Sequence, residues 1–308
     1  MKRWQLAAAL AGFVLSLMVP LVVTSDYQLQ VLFRIYLFAA LGLAWNLVGG
    51  YAGQLSLGHA AYFGAGAYGL ALFTRLGFPM WAVLAMLVLL AMLFALLIGG
   101  VSFRLRGPYF ALATIAFAEV VHAAAKNLPS VTGGDVGVQV PALFHTHVNR
   151  SFYLCAVVLT AVTTAVTVLI SRSRFGYYLM AIREDQDTAL AVGVNASRVK
   201  LYALLLSAGF TALAGALYGS LFLFIVPDQV LSIDISNEIA IVAMLGGAGT
   251  LAGPMVGAAV LESASEIFKS VFQEAHLLIY GLLLIVVVLF LPEGIVGSVE
   301  GMLRKRKR

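Results

Sequence analysis

Met80-Trp-Ala-Val-Leu-Ala-Met-Leu-Val-Leu-Leu-Ala-Met-Leu-Phe-Ala-Leu-Leu-Ile-Gly-Gly-Val101 contains no charged residue. A helix needs about 20 apolar residues to cross roughly 30 Å of hydrocarbon, so this run reads as a membrane span. Gln5 to Val23, Phe152 to Ile170 and Leu201 to Val226 meet the same test. Barrel strands would alternate in polarity over about ten residues. These runs instead are apolar on all sides and hold the Gly and small residues that let helices approach closely. The chain is predicted to be an all-α polytopic membrane protein, with residues 1–308 forming a single transmembrane domain.

Composition points the same way. Of 308 residues, 62% are hydrophobic and 11% charged, too few charges to clothe a soluble globule. The single cysteine, Cys155, lies in an apolar run, so one copy can form neither a disulfide framework nor a cysteine-based metal site, and Cys155 reads as a packing residue. A net charge of +5 raises the question of nucleic acid, but the basic residues gather at span ends and in the tail at 300–308, Arg304-Lys-Arg-Lys-Arg308. That pattern fits anchoring at the cytoplasmic face of a lipid membrane, with no nucleic-acid partner. Lys2 and Arg3 precede the first apolar run as in a cleaved signal, yet Val22-Val-Thr-Ser-Asp26 offers no small-x-small cleavage site, so the run reads as a retained anchor helix.

Short loops rich in Lys and Arg face the cytoplasm. Lys2 with Arg3, Arg104 with Arg106, the segment 172–200 and the tail should therefore share one side. Spans near 5–23, 29–48, 58–74 and 80–102 bring the chain back inside at Arg104, and spans near 108–125 and 151–171 bring it back at Arg172. A span to Val226 leads out and one near 277–291 returns. Between them, Ile239 to Leu261 is apolar but broken by Gly246, Gly247, Gly249, Gly253 and Pro254, and reads as the middle of a bent hairpin of two helices. The prediction is about ten crossings, or eight plus a re-entrant hairpin, with both termini cytoplasmic. It places 14 of 19 Lys and Arg residues inside, four (Arg75, Lys126, Arg150, Lys269) outside, and Arg34 within a span.

Two stretches stand out for function. Trp45 to Tyr68 is rich in glycine, which suits either tight helix contacts or a broken helix lining a path. Its candidate path residues are Gly53, Gln54, Ser56 and His59, and a lone His of this kind is usually a hydrogen-bonded structural group. A second glycine-rich break carries Gly246, Gly247, Gly249 and Thr250 and has a related look, Gly-Gly then Gly-x-Leu then Gly, which hints at an internal repeat. The loop 173–195 mixes Arg183, Glu184, Asp185 and Asp187 with small residues Ala189, Ala191 and Gly193. Such residues can form a short helix with a compact face for a partner's cleft, or simply an ordinary solvated loop.

At these stretches a resemblance becomes specific. Gly-Gly-x-x-Gly-Gln-Leu-Ser-Leu-Gly-His (Gly49 to His59), Gly-Pro-Tyr-Phe-Ala-Leu-Ala-Thr (Gly107 to Thr114), Thr-Gly-Gly-x-x-Gly (Thr132 to Gly137), Arg-Phe-Gly-Tyr-Tyr-Leu-x-Ala-Ile-Arg-Glu-Asp (Arg174 to Asp185) and Gly-Gly-x-Gly-Thr-x-x-Gly-Pro (Gly246 to Pro254) occur in this order. The chain resembles the permease subunits of bacterial ABC importers for branched-chain amino acids, over residues 28–297, and looks like the second of the two homologous permeases. That resemblance implies a bacterial inner-membrane location, a partner permease, two cytoplasmic ATPase subunits and a periplasmic substrate-binding protein. It also recasts the segment 172–200 as the coupling loop that docks on the ATPase. Asp187-Thr-Ala-Leu-Ala-Val-Gly193 stands where the family has a Glu-Ala-Ala-x-x-x-Gly signature, with Asp for Glu and Thr for the first Ala.

Absences bear on mechanism. No lysine follows a glycine anywhere, so no Gly-x-x-x-x-Gly-Lys-Ser/Thr loop exists for ATP. No paired carboxylates, metal cluster or nucleophile-base set suggests an enzyme or a cofactor. Ionisable residues at membrane depth, which secondary carriers use, are sparse: Arg34, Glu119 with His122, Glu238 and Glu262. Glu119 and His122 share a helix face and suit an interfacial hydrogen bond better than a proton relay. Arg34 is expected to snorkel or to pair with an acidic neighbour. Asp135 reads as part of an outside turn, where it could touch a binding protein. The readings that remain open beside a branched-chain amino acid importer are a urea or short-chain amide importer and a stand-alone channel or proton-coupled carrier.

Overall fold

The computed structural model describes residues 3–103, 105, 107–271 and 294–298. The predicted last span at 277–291, the tail at 300–308, Lys2, Arg104 and Arg106 lie outside the described residues. Among the described residues up to Val271 the α-helices run in order: α1 (Arg3–Val22), α2 (Asp26–Asn46), α3 (His59–Arg75), α4 (Met80–Ser102), α5 (Pro108–Asn127), α6 (Pro129–Thr132), α7 (Val148–Ser171), α8 (Arg174–Glu184), α9 (Gln186–Ala191), α10 (Ala196–Phe222), α11 (Pro227–Val230), α12 (Ile233–Gly246) and α13 (Gly253–Val271). Two-residue strands β1 (Val138–Gln139) and β2 (Phe224–Ile225) pair antiparallel, Val138 opposite Ile225. The chain is a multi-pass membrane protein: among the described residues six helical stretches are long and apolar enough to cross a membrane, including Asp26–Tyr51, Met80–Ser102 and Ala196–Phe222.

α4 shows why these helices need lipid. Its only buried side is narrow, made of Val83, Leu87, Ala91, Ala95 and Ile98. Leu84, Leu89, Leu93, Leu97 and Val101 are exposed around the rest. Only a hydrocarbon solvent makes such a surface stable. α7 solves the complementary problem of polar groups in lipid. Its Thr160, Thr163, Thr164 and Thr167 hydroxyls each donate to the carbonyl four residues back, at 2.7–2.8 Å.

The core forms where small residues let backbones meet. α3 crosses α10 so closely that a Cβ on Gly66 would collide with the Ala212 carbonyl, and one on Gly215 with that of Phe63. This is the small-residue contact by which membrane helices associate when the hydrophobic effect cannot drive them together. α2 packs along α7 through an edge-to-face pair, Phe33 with Phe152, at 6.1 Å between ring centroids.

Two boundaries differ from the sequence reading. α10 begins at Ala196, where Asn195 Oδ1 accepts the Arg198 amide at 3.1 Å, and stops at Phe222 instead of running to Val226. Leu223 adopts φ 62°, and the chain then leaves the helix to pair with β1. Apolar character continues to Val226, so hydropathy alone could not see the stop. The region 239–261 is the middle of a bent hairpin of two helices, α12 and α13, with the break at residues 247–252.

Candidate functional site: two hairpin tips beneath a loop helix

α2 does not end cleanly. It widens into a π-turn over Leu47–Tyr51 and then unwinds to residue 58 before α3 begins. Backbone opened in this way survives within a membrane protein only if neighbouring groups satisfy it. Here Trp45 Nε1 donates to the Ser56 carbonyl at 2.7 Å, the Gln54 amide to Val48 O at 3.0 Å and the Leu57 amide to Thr114 Oγ1 at 3.0 Å. The second break is satisfied likewise: Thr250 Oγ1 donates to Gly247 O at 2.8 Å and accepts the Gly253 amide at 3.0 Å, so it caps α13.

The two breaks, separate in the sequence, meet in space. Asn46 is fully buried, and its side-chain amide takes both ends of one peptide neighbourhood: Oδ1 accepts the Gly249 amide at 2.7 Å and Nδ2 donates to Thr250 O at 2.8 Å. A Cβ on Gly50 would collide with Asn46 Oδ1 and with the Gly249 nitrogen. The tip of the hairpin α2–α3 is thus locked against the tip of the hairpin α12–α13. Sequence reasoning missed Asn46; its one signal was a carboxamide at the end of an otherwise apolar span, just before Gly-Gly.

Arg183 lies over this junction. It stands in the last turn of α8, and its Nη1 donates to Gly50 O at 2.8 Å. Its Cγ lies 3.0 Å from where a Cβ on Gly53 would be, and Nη1 would collide with a Cβ on Gly249. Gly53 and Gly249 have φ of 65° and 85°, conformations that side chains other than glycine rarely adopt.

The remaining candidates divide by exposure. Ser56, His59, Gly246 and Gly247 are buried, Gly53 is exposed, and Gln54 and Thr250 are intermediate. His59 has no exposed surface; its Nε2 lies 2.8 Å from Ser207 Oγ and its Nδ1 3.3 Å from Ser56 Oγ, so it ties α3 to α10. On the loop, Asp185 caps α9 by accepting the amides of Asp187 and Thr188 at 2.8 and 3.1 Å. Arg183, Glu184, Asp187 and Gly193 are exposed, but Ala189 is 3% exposed and packs into its own chain's core. Ala189 therefore does not belong to an outward face, since the short helix turns it onto α10. The surface that α8, α9 and their C-terminal turn present is instead apolar and polar in alternation: Tyr177, Tyr178, Leu190 and Val192 are exposed beside Asp187. The nearly buried Lys200 donates to Gln186 Oε1 at 2.5 Å and fastens α9 to α10.

At the other end of the bundle, His122 lies nearer Asp228 (Nε2–Oδ1 2.9 Å) than Glu119 (3.6 Å). Asp228 also accepts Lys126 Nζ at 2.7 Å, and Lys126 reaches Asp135 at 3.8 Å. The sequence spacing of Glu119 and His122 gave no sign of Asp228, which belongs to α11. Arg34 does pair, with Glu262 of α13 at 3.0 Å.

Residues 27–288 match the family model described as "Branched-chain amino acid transport system / permease component". The chain belongs to that family. It is 28% identical over 297 residues to the high-affinity branched-chain amino acid transport system permease protein LivM of Salmonella typhimurium, covering 87% of this chain and 69% of the relative. It is 29% identical over 188 residues to LivH of Escherichia coli (57% and 60% of the two chains), and 29% identical over 177 residues to BraD of Pseudomonas aeruginosa (57% of each). No solved structure matches.

Proposed function

We propose that this permease forms one half of the translocation pathway of an ATP-driven importer for leucine, isoleucine and valine in a bacterial inner membrane. Its partners in this reading are a second, homologous permease, two cytoplasmic ATPase subunits and a periplasmic binding protein, and the chain itself has no ATPase site. The observation that carries the reading is the seating of the loop 172–200 directly on two locked, glycine-broken hairpin tips. A push on α8 and α9 is thereby delivered to helices that cross the membrane. Tyr177, Tyr178, Leu190 and Val192 supply the apolar surface an ATPase would cover, and exposed Gly53 and half-buried Gln54 are the residues of the first break best placed to meet a solute.

The topology belongs to the same proposal: about ten crossings, α12 and α13 supplying two of them, with both tips and both termini cytoplasmic. Tag fusions or cysteine labelling should find Arg183 inside and Asp135 outside; Arg183 labelled from outside would reverse the orientation. Uptake of labelled leucine against labelled urea in a deletion strain tests the substrate class, and urea uptake without leucine uptake would refute it.

Gly193 supplies a further test. Its φ of 90° ends α9, and nothing stands within 4 Å of a Cβ there, so the constraint is in the backbone. A side chain in this left-handed region costs roughly 1–2 kcal/mol. Gly193→Val should reduce uptake per ATP hydrolysed by about tenfold, the equivalent of 1.4 kcal/mol, with membrane insertion unchanged. Unaltered coupling would remove this turn from the ATPase contact.

A further inference from the structure

We infer that Arg183 is a positioning residue of the transport cycle, a side chain through which movement of the loop reaches both hairpin tips at once. The inference rests on the reading of residues 172–200 as the ATPase contact and goes beyond it, because it assigns Arg183 to the inner side of that contact and not to docking.

Three helix ends converge where the guanidinium lies. α8 ends one residue after Arg183, the α2 π-turn ends at Tyr51 just beyond the carbonyl that Arg183 bonds, and α12 ends at Gly246, three residues before Gly249. All three are C-terminal ends, where unpaired carbonyls concentrate partial negative charge. A cation placed among them is stabilised by each and holds each in register with the others. Gly50 O is such a late helix carbonyl, and its bond to Nη1 at 2.8 Å is charge-assisted.

The surroundings are shaped to this side chain. A Cβ at Gly53 would sit 3.0 Å from the Arg183 Cγ, and one at Gly249 would strike Nη1. Both glycines thus make room for the stem and the head of one arginine, from hairpins far apart in the sequence. The Asn46 bonds lock tip to tip within the bundle, whereas Arg183 alone among these contacts comes from the loop. A tilt of α8 therefore pulls on Gly50 O and shifts the guanidinium that packs against Gly249.

The test uses the complete transporter, this chain with its partner permease, ATPases and binding protein, reconstituted in liposomes with labelled leucine. Uptake, ATP hydrolysis and ATPase retention are measured on the same preparation. Arg183→Ala should keep the ATPases bound and hydrolysing while leucine moved per ATP falls about tenfold, within the usual range of coupling between sites. Arg183→Lys, which keeps the charge, should recover much of that loss. Arg183→Met keeps the stem against Gly53 and should behave as the alanine variant; it carries the test if Arg183→Ala does not assemble. An unchanged ratio of uptake to hydrolysis in the assembled variants would overturn the inference. Loss of the ATPases from Arg183→Ala and Arg183→Met would also overturn it, by making Arg183 a docking residue, and would leave the loop reading intact. If the wild-type ATPases remain bound and coupled after the loop's exposed residues Tyr177, Leu190 and Val192 are replaced by serine, it is the loop reading that fails.

Discussion

Gly50→Val should abolish leucine uptake, whereas Gly100→Val should leave it near the wild-type rate. Both are glycines near the ends of membrane helices, but nothing lies within 4 Å of a Cβ at Gly100, while one at Gly50 collides with Asn46 Oδ1 and the Gly249 nitrogen. Overpacking of this kind costs about 1–3 kcal/mol. The greater loss follows if Asn46 is driven from its site. The Gly249 amide and Thr250 carbonyl then lose their partner, at about 1–3 kcal/mol for each buried group left unpaired. Together these approach the whole stability of an ordinary domain, about 5–15 kcal/mol. Expression with quantified membrane insertion, followed by uptake, separates a chain that never reaches the membrane from one whose tips do not engage. Wild-type uptake by Gly50→Val would mean that the tips do not lock in the working transporter.

A second large effect is expected at Glu262. Its side chain is 3% exposed and lies 3.0 Å from Arg34, which joins α13 to α2. Breaking a buried pair by removing one partner costs about 3–5 kcal/mol, because the other charge stays behind without compensation. Arg34 is 30% exposed, so its remaining charge finds some relief and the lower end, about 3 kcal/mol, is appropriate for Glu262→Ala. For a chain of 308 residues that corresponds to a fall in melting temperature of roughly 5 °C in detergent. Replacing both residues by leucine should restore most of the loss, since a well-packed apolar pair often matches a buried ionic one. A double variant as unstable as the single one would show that the pair is not what holds these helices.

The legible and illegible parts of the sequence divide on a physical line. Apolar runs such as 80–101 fix helices because no other secondary structure satisfies its backbone alone in lipid. Glycines at 246, 247, 249 and 253 with Pro254 mark the second break for the same reason in reverse: they interrupt a run that otherwise would continue. Contacts between distant segments carry no such mark. A carboxamide at Asn46 looks alike whether it meets Thr250 or water, and Asp228 sits in a four-residue helix with no periodicity to reveal that it faces His122 and Lys126. Ala189 shows the limit most clearly. Its small size fits a compact outward face or an inward one equally, and only the path of α10 decides that it turns inward. Arg183 stands out in the sequence as part of a charged loop, but its role at the tips depends on three helix ends that no linear reading brings together.

The Asn46 bond to Thr250 spans 204 positions. At synthesis rates of about 5–20 residues per second, the carbonyl that answers this amide is made roughly 10–40 s after the amide itself. During that interval the Asn46 carboxamide at the tip of the first hairpin lacks its partners from the second. A chain truncated before Gly249 would lack both groups that the Asn46 carboxamide bonds, the Gly249 amide and the Thr250 carbonyl.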